Sequence, residues 1–160
     1  MKTWIGLIAV LLVSTGLVWA FAKQPSAEAQ SAITEVGVEH TGCYGPCPVY
    51  KLTIRSNGTA TFVGFSNVSK IGTYTAYVGS FNRLVQAIKH RGFQRFQPDY
   101  TSGVTDLPHA VTTVVQGDHR KTVVTDIVGE PQALWEIQTL IDGAVAEAHW
   151  KKVGSITKAH

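Results

Sequence analysis

The sequence is poor in the residues that most readily announce a chemistry. Two cysteines and one methionine in 160 residues are too few for a miniprotein built on a disulfide framework, and a chain of this length has no need of one. The balance of 14 Lys and Arg against 11 Asp and Glu is mildly basic. Its cations are scattered, and Arg120-Lys121 and Lys151-Lys152 are the only adjacent basic pairs. A nucleic-acid binder carries a basic stripe, so nucleic acid is excluded as a partner. The chain has no G-x-S-x-G elbow, no H-E-x-x-H pair and no glycine-rich phosphate loop. The common serine-hydrolase, zinc-protease and nucleotide-binding signatures are therefore missing, and nothing in the sequence implies a cofactor.

What is present begins with a leader. Met1-Lys2 supplies a short positive start, and Trp4 to Ala22 is apolar apart from Ser14, Thr15 and two glycines. This is the pattern of a secretory signal, with Ala20-Phe21-Ala22 or Ala27-Glu28-Ala29 as cleavage sites. As a helix at a rise of about 1.5 Å per residue it would also span roughly a bilayer core. Residues 1–22 therefore read as a signal peptide or an N-terminal membrane anchor, the only expected contact with a membrane. No cysteine lies near residues 15–25, which excludes a lipid-modified N-terminus. Either way the body is exported, to the periplasm or beyond. Residues 23–32, rich in Gln, Ser, Ala, Glu and Pro, have the composition of a disordered linker.

Residues 33–150 read as one domain. Ile33 to His40 and Val49 to Arg55 alternate as strands, and Asn57-Gly58 marks a hairpin whose residues both tolerate positive φ. Thr59–Phe65 is the return strand, and Ile71–Val78 is another. Ser80 is placed to cap a helix carrying Phe81, Leu84, Val85 and Ile88 at helical spacing, which Gly92 ends. Phe93 and Phe96 then anchor a loop, and residues 97–109 form an irregular connection. A second hairpin joins Ala110–Gln116 to Arg120–Asp126. Pro131 sits in the first turn of the last helix, whose stripe is Leu134, Ile137, Ile141 and Val145, with Trp135 and Leu140 beside it. Trp150 folds back on the core, and residues 151–160 fray. The expected fold class is α+β: one antiparallel sheet of about six strands, two α-helices on one face, and an N-terminal hydrophobic leader helix ahead of them.

The densest stretch is Cys43-Tyr44-Gly45-Pro46-Cys47-Pro48-Val49-Tyr50. In an oxidising compartment Cys43 and Cys47 pair if the Gly45-Pro46 bend brings their α-carbons within about 7 Å. Buried thiols and redox use are the alternatives. Redox use wants a thiolate favoured by a helix N-terminus or a cation, whereas here a strand follows and the spacing is not C-x-x-C. His40 with Cys43 and Cys47 would offer three soft ligands to a metal, but no accepted zinc spacing is matched, so no metal is assigned.

With Asn57-Gly58, Thr105-Asp106-Leu107-Pro108, Gly129-x-Pro131, Leu140-Ile141-Asp142 and Trp150, this stretch resembles an uncharacterised bacterial family, domain of unknown function 6438. Members typically follow a signal peptide or lipid anchor. The resemblance covers roughly Ile33 to Trp150 and implies export, but no activity.

Candidate binding residues are Tyr44 and Tyr50 on the cysteine turn, and Asp99, Tyr100, Asp106 and His109 on the irregular connection, where functional groups tend to sit. Asp106 and His109 would also suit a general acid–base pair in a hydrolase; the bland role for Asp106 is to close a turn. Tyr74 and Tyr77 read as sheet-packing residues. The functional expectation is an exported, non-catalytic envelope module binding another envelope protein or a wall component. The alternative is a thiol-redox or metal-binding protein centred on the C-x3-C turn.

Overall fold

The computed structural model describes residues 32–126 and 128–155; the leader and linker fall outside them. In chain order the elements are β1 (Ile33–His40), β2 (Val49–Arg55), β3 (Thr59–Ser66), β4 (Gly72–Tyr77), α1 (Phe81–His90), a 3-10 turn (Phe93–Arg95), β5 (Asp99–Tyr100), β6 (His109–Gln116), β7 (His119–Asp126), α2 (Gln132–Gly143) and β8 (Lys151–Gly154). The strands make one sheet in the order β5-β7-β6-β1-β2-β3-β4-β8. Every pair is antiparallel except β5 with β7.

The sheet thus has eight strands, against about six expected. Asp99-Tyr100, inside the connection that the sequence marks as irregular, forms β5; two residues are too short to show alternation. Lys151–Gly154 was expected to fray. It is instead an edge strand paired with β4, and its three side chains are all exposed, so no apolar alternation marks it.

The inward face is set by period two. Val36 and Val38 pair with Ile54 and Leu52 on one side and with Val114 and Thr112 on the other. These side chains are at most 1% exposed. Both helices lie on this face. Phe81, Leu84, Val85 and Ile88 of α1, and Leu134, Ile137 and Ile141 of α2, are buried in the same cluster as the strand residues. The spacing i, i+3, i+4, i+7 keeps α1's apolar stripe against the sheet. Gly92, at φ 68°, then takes the left-handed conformation that ends the helix, and Phe93 is buried beyond it.

Two local expectations need correcting. Ser80 stands at the N-cap of α1, but its side chain caps nothing; with φ −92° and ψ 4° it lacks the extended backbone that aims an N-cap hydroxyl at the free amides. In the β2–β3 hairpin only Gly58 has positive φ, at 81°. The Gly58 amide donates to the Arg55 carbonyl, and Asn57 instead uses its side-chain oxygen to accept from the Thr59 amide.

Candidate functional site

One row of inward positions crosses the sheet near the end where the cysteine turn lies. Tyr100 of β5 is in register with Thr125 of β7, Thr125 with Ala110 of β6, Ala110 with His40 of β1, and His40 with Tyr50 of β2. Helix α2 passes over this row and interrupts its own apolar stripe there with Gln138 and Asp142. Gln138, 5% exposed, donates through Nε2 to Thr125 Oγ1 at 3.2 Å. One turn later Asp142 accepts through Oδ1 from the Tyr50 hydroxyl at 3.0 Å. Its other oxygen lies 3.7 Å from His40 Nε2. The His40 ring stacks on Tyr50 with centroids 4.7 Å apart, Tyr50 stacks on Phe62 at 5.4 Å, and Phe62 meets Trp150 at 5.7 Å. The imidazole is therefore held in place by stacking on one side and faces a carboxylate.

Between these residues and the chain before α2 lies a pocket of about 210 Å³. His40, His109, Ala110 and Thr125 line it from the sheet; Gln138, Asp142, Thr139 and Trp135 line it from α2; Glu130 and Pro108 close it from the loops. The Thr125 hydroxyl lies 3.2 Å from Glu130 Oε1. Burial pushes the Glu130 carboxyl above the usual range, and the hydrogen bonds with Thr125 and Gln138 only partly offset it. Asp126, also on the lining, behaves oppositely. Its Oδ2 accepts from the Ser102 amide at 2.6 Å and the Ser102 hydroxyl at 2.7 Å, and its Oδ1 from the Val128 and Gly129 amides at 2.8 and 3.1 Å. Those donors, Ser102 foremost, hold Asp126 well below the usual carboxylate range. Asp126 thus ties two loops to the end of β7, and its lone pairs are committed to that. Tyr50 is the third perturbed group: burial, then the Asp142 charge and hydrogen bond, push its phenol upward.

The sequence-predicted residues take several different places. Cys43 and Cys47 form a disulfide with α-carbons 5.7 Å apart, so their sulfurs bind each other. Among the described residues no group of three His, Cys, Asp or Glu is placed to hold a metal ion. Tyr44, at the tip of the disulfide loop, is 93% exposed. Tyr50 instead contacts two pocket-lining residues, stacking on His40 and donating to Asp142. Asp99 accepts from the Thr101 amide and hydroxyl at 2.7 Å each, which closes a turn and lowers its pKa. The Tyr100 hydroxyl accepts from the Gln97 amide while its ring meets Phe96 edge-on.

Of the four candidate residues on the long connection, His109 lines the pocket, next to Pro108. The His109 amide donates to Thr41 Oγ1 and its carbonyl accepts from the Thr41 amide, both at 2.9 Å, so the cysteine turn starts where this connection ends. Asp106 is exposed, with φ 68°, and no hydrogen bond joins it to His109 among the described residues. Tyr74 donates its hydroxyl to the Ile71 carbonyl under Lys152 Nζ, and Tyr77 is exposed.

Glu130, Gln138 and Asp142 were missed as site residues. The available signal was a polar residue directly following each of two buried isoleucines, Ile137-Gln138 and Ile141-Asp142, four positions apart on one helix face.

A family model described as Domain of unknown function (DUF6438) matches residues 34–145. That span contains every pocket residue and the disulfide, and stops short of Trp150 and β8. No curated protein matches the sequence. The chain belongs to the domain of unknown function family DUF6438.

Proposed function

We propose that this protein is an exported, non-catalytic binding module of the cell envelope whose ligand enters the pocket between α2 and the ends of β1, β6 and β7. The observation that carries the reading is convergence. Asp142, Gln138 and Glu130, distant in sequence from His40 and His109, meet them around one cavity. Each of the three is positioned by a hydrogen bond to a strand residue, which is how a binding site is pre-formed. Export is supported by the leader pattern and by the Cys43–Cys47 disulfide, a bond that persists in oxidising compartments.

The test is capture from the native envelope. The full chain, expressed with its leader and cross-linked in place, retains an envelope protein or wall component, and Trp135→Ala on the pocket rim loses it. Equal capture by wild type and variant would overturn the pocket's role. Cytoplasmic recovery of the chain with reduced cysteines would overturn export.

The runner-up draws on the disulfide lying in a loop between His40 and Tyr50. A thiol-redox role requires the reduced pair to react quickly with an alkylating agent at neutral pH. Slow alkylation of the reduced protein counts against it.

A further inference from the structure

Trp135 is 56% exposed and lines the pocket, although its helix neighbour Leu134 is fully buried. The indole stands on a helix face whose next turns carry Gln138, Thr139 and Asp142. An indole left in water beside hydrogen-bonding side chains offers a flat apolar surface with polar groups at its edge. Those polar groups are fixed in advance: Asp142 by the Tyr50 hydroxyl, Glu130 and Gln138 by Thr125. Asp142 Oδ2 lies 3.7 Å from His40 Nε2, beyond hydrogen-bond length. Pro108 and Ala110 complete the wall with apolar surface.

A ligand that fits this lining has one apolar face and a rim of groups that both donate and accept. We infer that the pocket binds one pyranose ring of a saccharide, its C–H face against Trp135 and its hydroxyls toward Asp142, Gln138 and His109. This deepens the reading of the pocket as the module's binding site and rests on it. A volume of about 210 Å³ holds one ring and leaves the remaining sugars of an oligomer outside. Among the described residues no Lys or Arg lines the pocket, yet a cation is a less suitable occupant. Asp126 spends both oxygens on Ser102, Val128 and Gly129, Asp142 Oδ1 accepts from Tyr50, and Glu130 Oε1 accepts from Thr125, which leaves few carboxylate lone pairs free to surround a positive charge.

The experiment is a titration of the full chain in mild detergent with N-acetylglucosamine, glucose and chitotriose, followed by tryptophan emission and calorimetry. A ring of about a dozen heavy atoms should half-saturate near roughly 1 mM. Trp135→Ala should weaken binding by about 10-fold, the upper end for a stacked aromatic contact. Trp135→Phe should retain part of it, and the unfolding midpoint should not move in either variant. Asp142→Asn, which keeps an acceptor for Tyr50, should weaken binding without abolishing it. Insoluble wall glycan and vesicles carrying a glycolipid, used as separate arms, distinguish a polymer from a lipid headgroup as the source of the sugar.

Absence of saturable binding to all the sugars overturns the inference, as does unchanged affinity in Trp135→Ala or saturation by butylammonium in place of sugar. If the sugars fail while capture of envelope material still depends on Trp135, the ligand class is wrong and the binding module stands. If capture is also independent of Trp135, both readings fall.

Discussion

Tyr50 and Asp142, separated by 92 positions in the chain, meet in a 3.0 Å hydrogen bond in which the phenol donates to the carboxylate. This bond joins β2 to the last turn of α2 and positions one wall of the pocket. Removing the hydroxyl while keeping the ring isolates its contribution. Tyr50→Phe should retain the stacks on His40 and Phe62 yet lower stability by about 1 kcal/mol, less than the roughly 1.5–3 kcal/mol of a bond to a charged group, because Asp142 is partly exposed. Urea unfolding of both proteins measures the difference. The phenol's folded pKa is raised above its ordinary 10.0, so the stabilisation is complete below that pH and is lost as pH rises above it. The gap between wild type and Tyr50→Phe should therefore narrow in alkali. A gap independent of pH would show that burial and the Asp142 charge do not act on Tyr50.

Glu130 titrates with the same sign in a different window. Its folded pKa is raised above 4.5, so its favourable contribution is present below that pH and fades as pH rises through the folded value. Glu130→Gln preserves an acceptor for Thr125 Oγ1 and removes the charge. The variant should match wild type in acid and be the more stable of the two at neutral pH, by an amount that screening keeps small. Unfolding curves at the two pH values decide it; greater wild-type stability at neutral pH contradicts the assignment.

Asp126 has the opposite sign. Its folded pKa is lowered, so its stabilisation is present above the ordinary carboxylate range and is lost only as pH falls through the folded value. Four donors converge on its two oxygens. Asn offers one acceptor and turns two hydrogens toward amides that need an acceptor. Asp126→Asn should lower the thermal midpoint more than Asp99→Asn, because Asp99 serves a single exposed turn. Hydrogen exchange at Ser102 and Gly129 should accelerate together in the Asp126 variant. Unaltered exchange at either amide would mean the carboxylate is not holding both loops.

The disulfide closes a loop of five residues, so the chain-entropy model gives it about 2 kcal/mol at most. Replacing Cys43 and Cys47 together by Ser should therefore leave a folded protein of slightly lower stability. The Asn67 side-chain bond to the Cys47 carbonyl keeps part of the turn in place. Intact-mass analysis of alkylated native protein checks the bond itself: unmodified cysteines in a chain lighter by the hydrogens lost on oxidation confirm it. A double variant that fails to fold would show that the turn does more than shape the entrance to β2.

Much of the architecture was legible in the linear pattern because its causes are local. Alternation along Val49–Arg55 and 3.6-residue spacing along Phe81–Ile88 depend only on which side chains must leave water. Gly58 and Gly92 marked the β2–β3 turn and the end of α1 because positive φ penalises other residues. The bend at Gly45-Pro46 brought two cysteines within pairing distance for the same local reason. Where local and non-local demands part, the pattern was silent. The edge strand Lys151–Gly154 has no buried side to alternate, and the two residues of β5 owe their strand conformation to β7 rather than to themselves. The site was the least legible part. Asp142 in the linear chain is one acidic residue on a helix, and Glu130 is one residue before a proline. Their roles come from the crossing of α2 over the sheet row, which brings them to Thr125, His40 and Tyr50. Hydrophobic burial of Leu134, Ile137 and Ile141 sets that crossing, and the polar residues adjacent to them are carried to the strand ends. Composition and periodicity therefore determine which layers form, while the packing of one layer on the other decides which polar groups share a cavity.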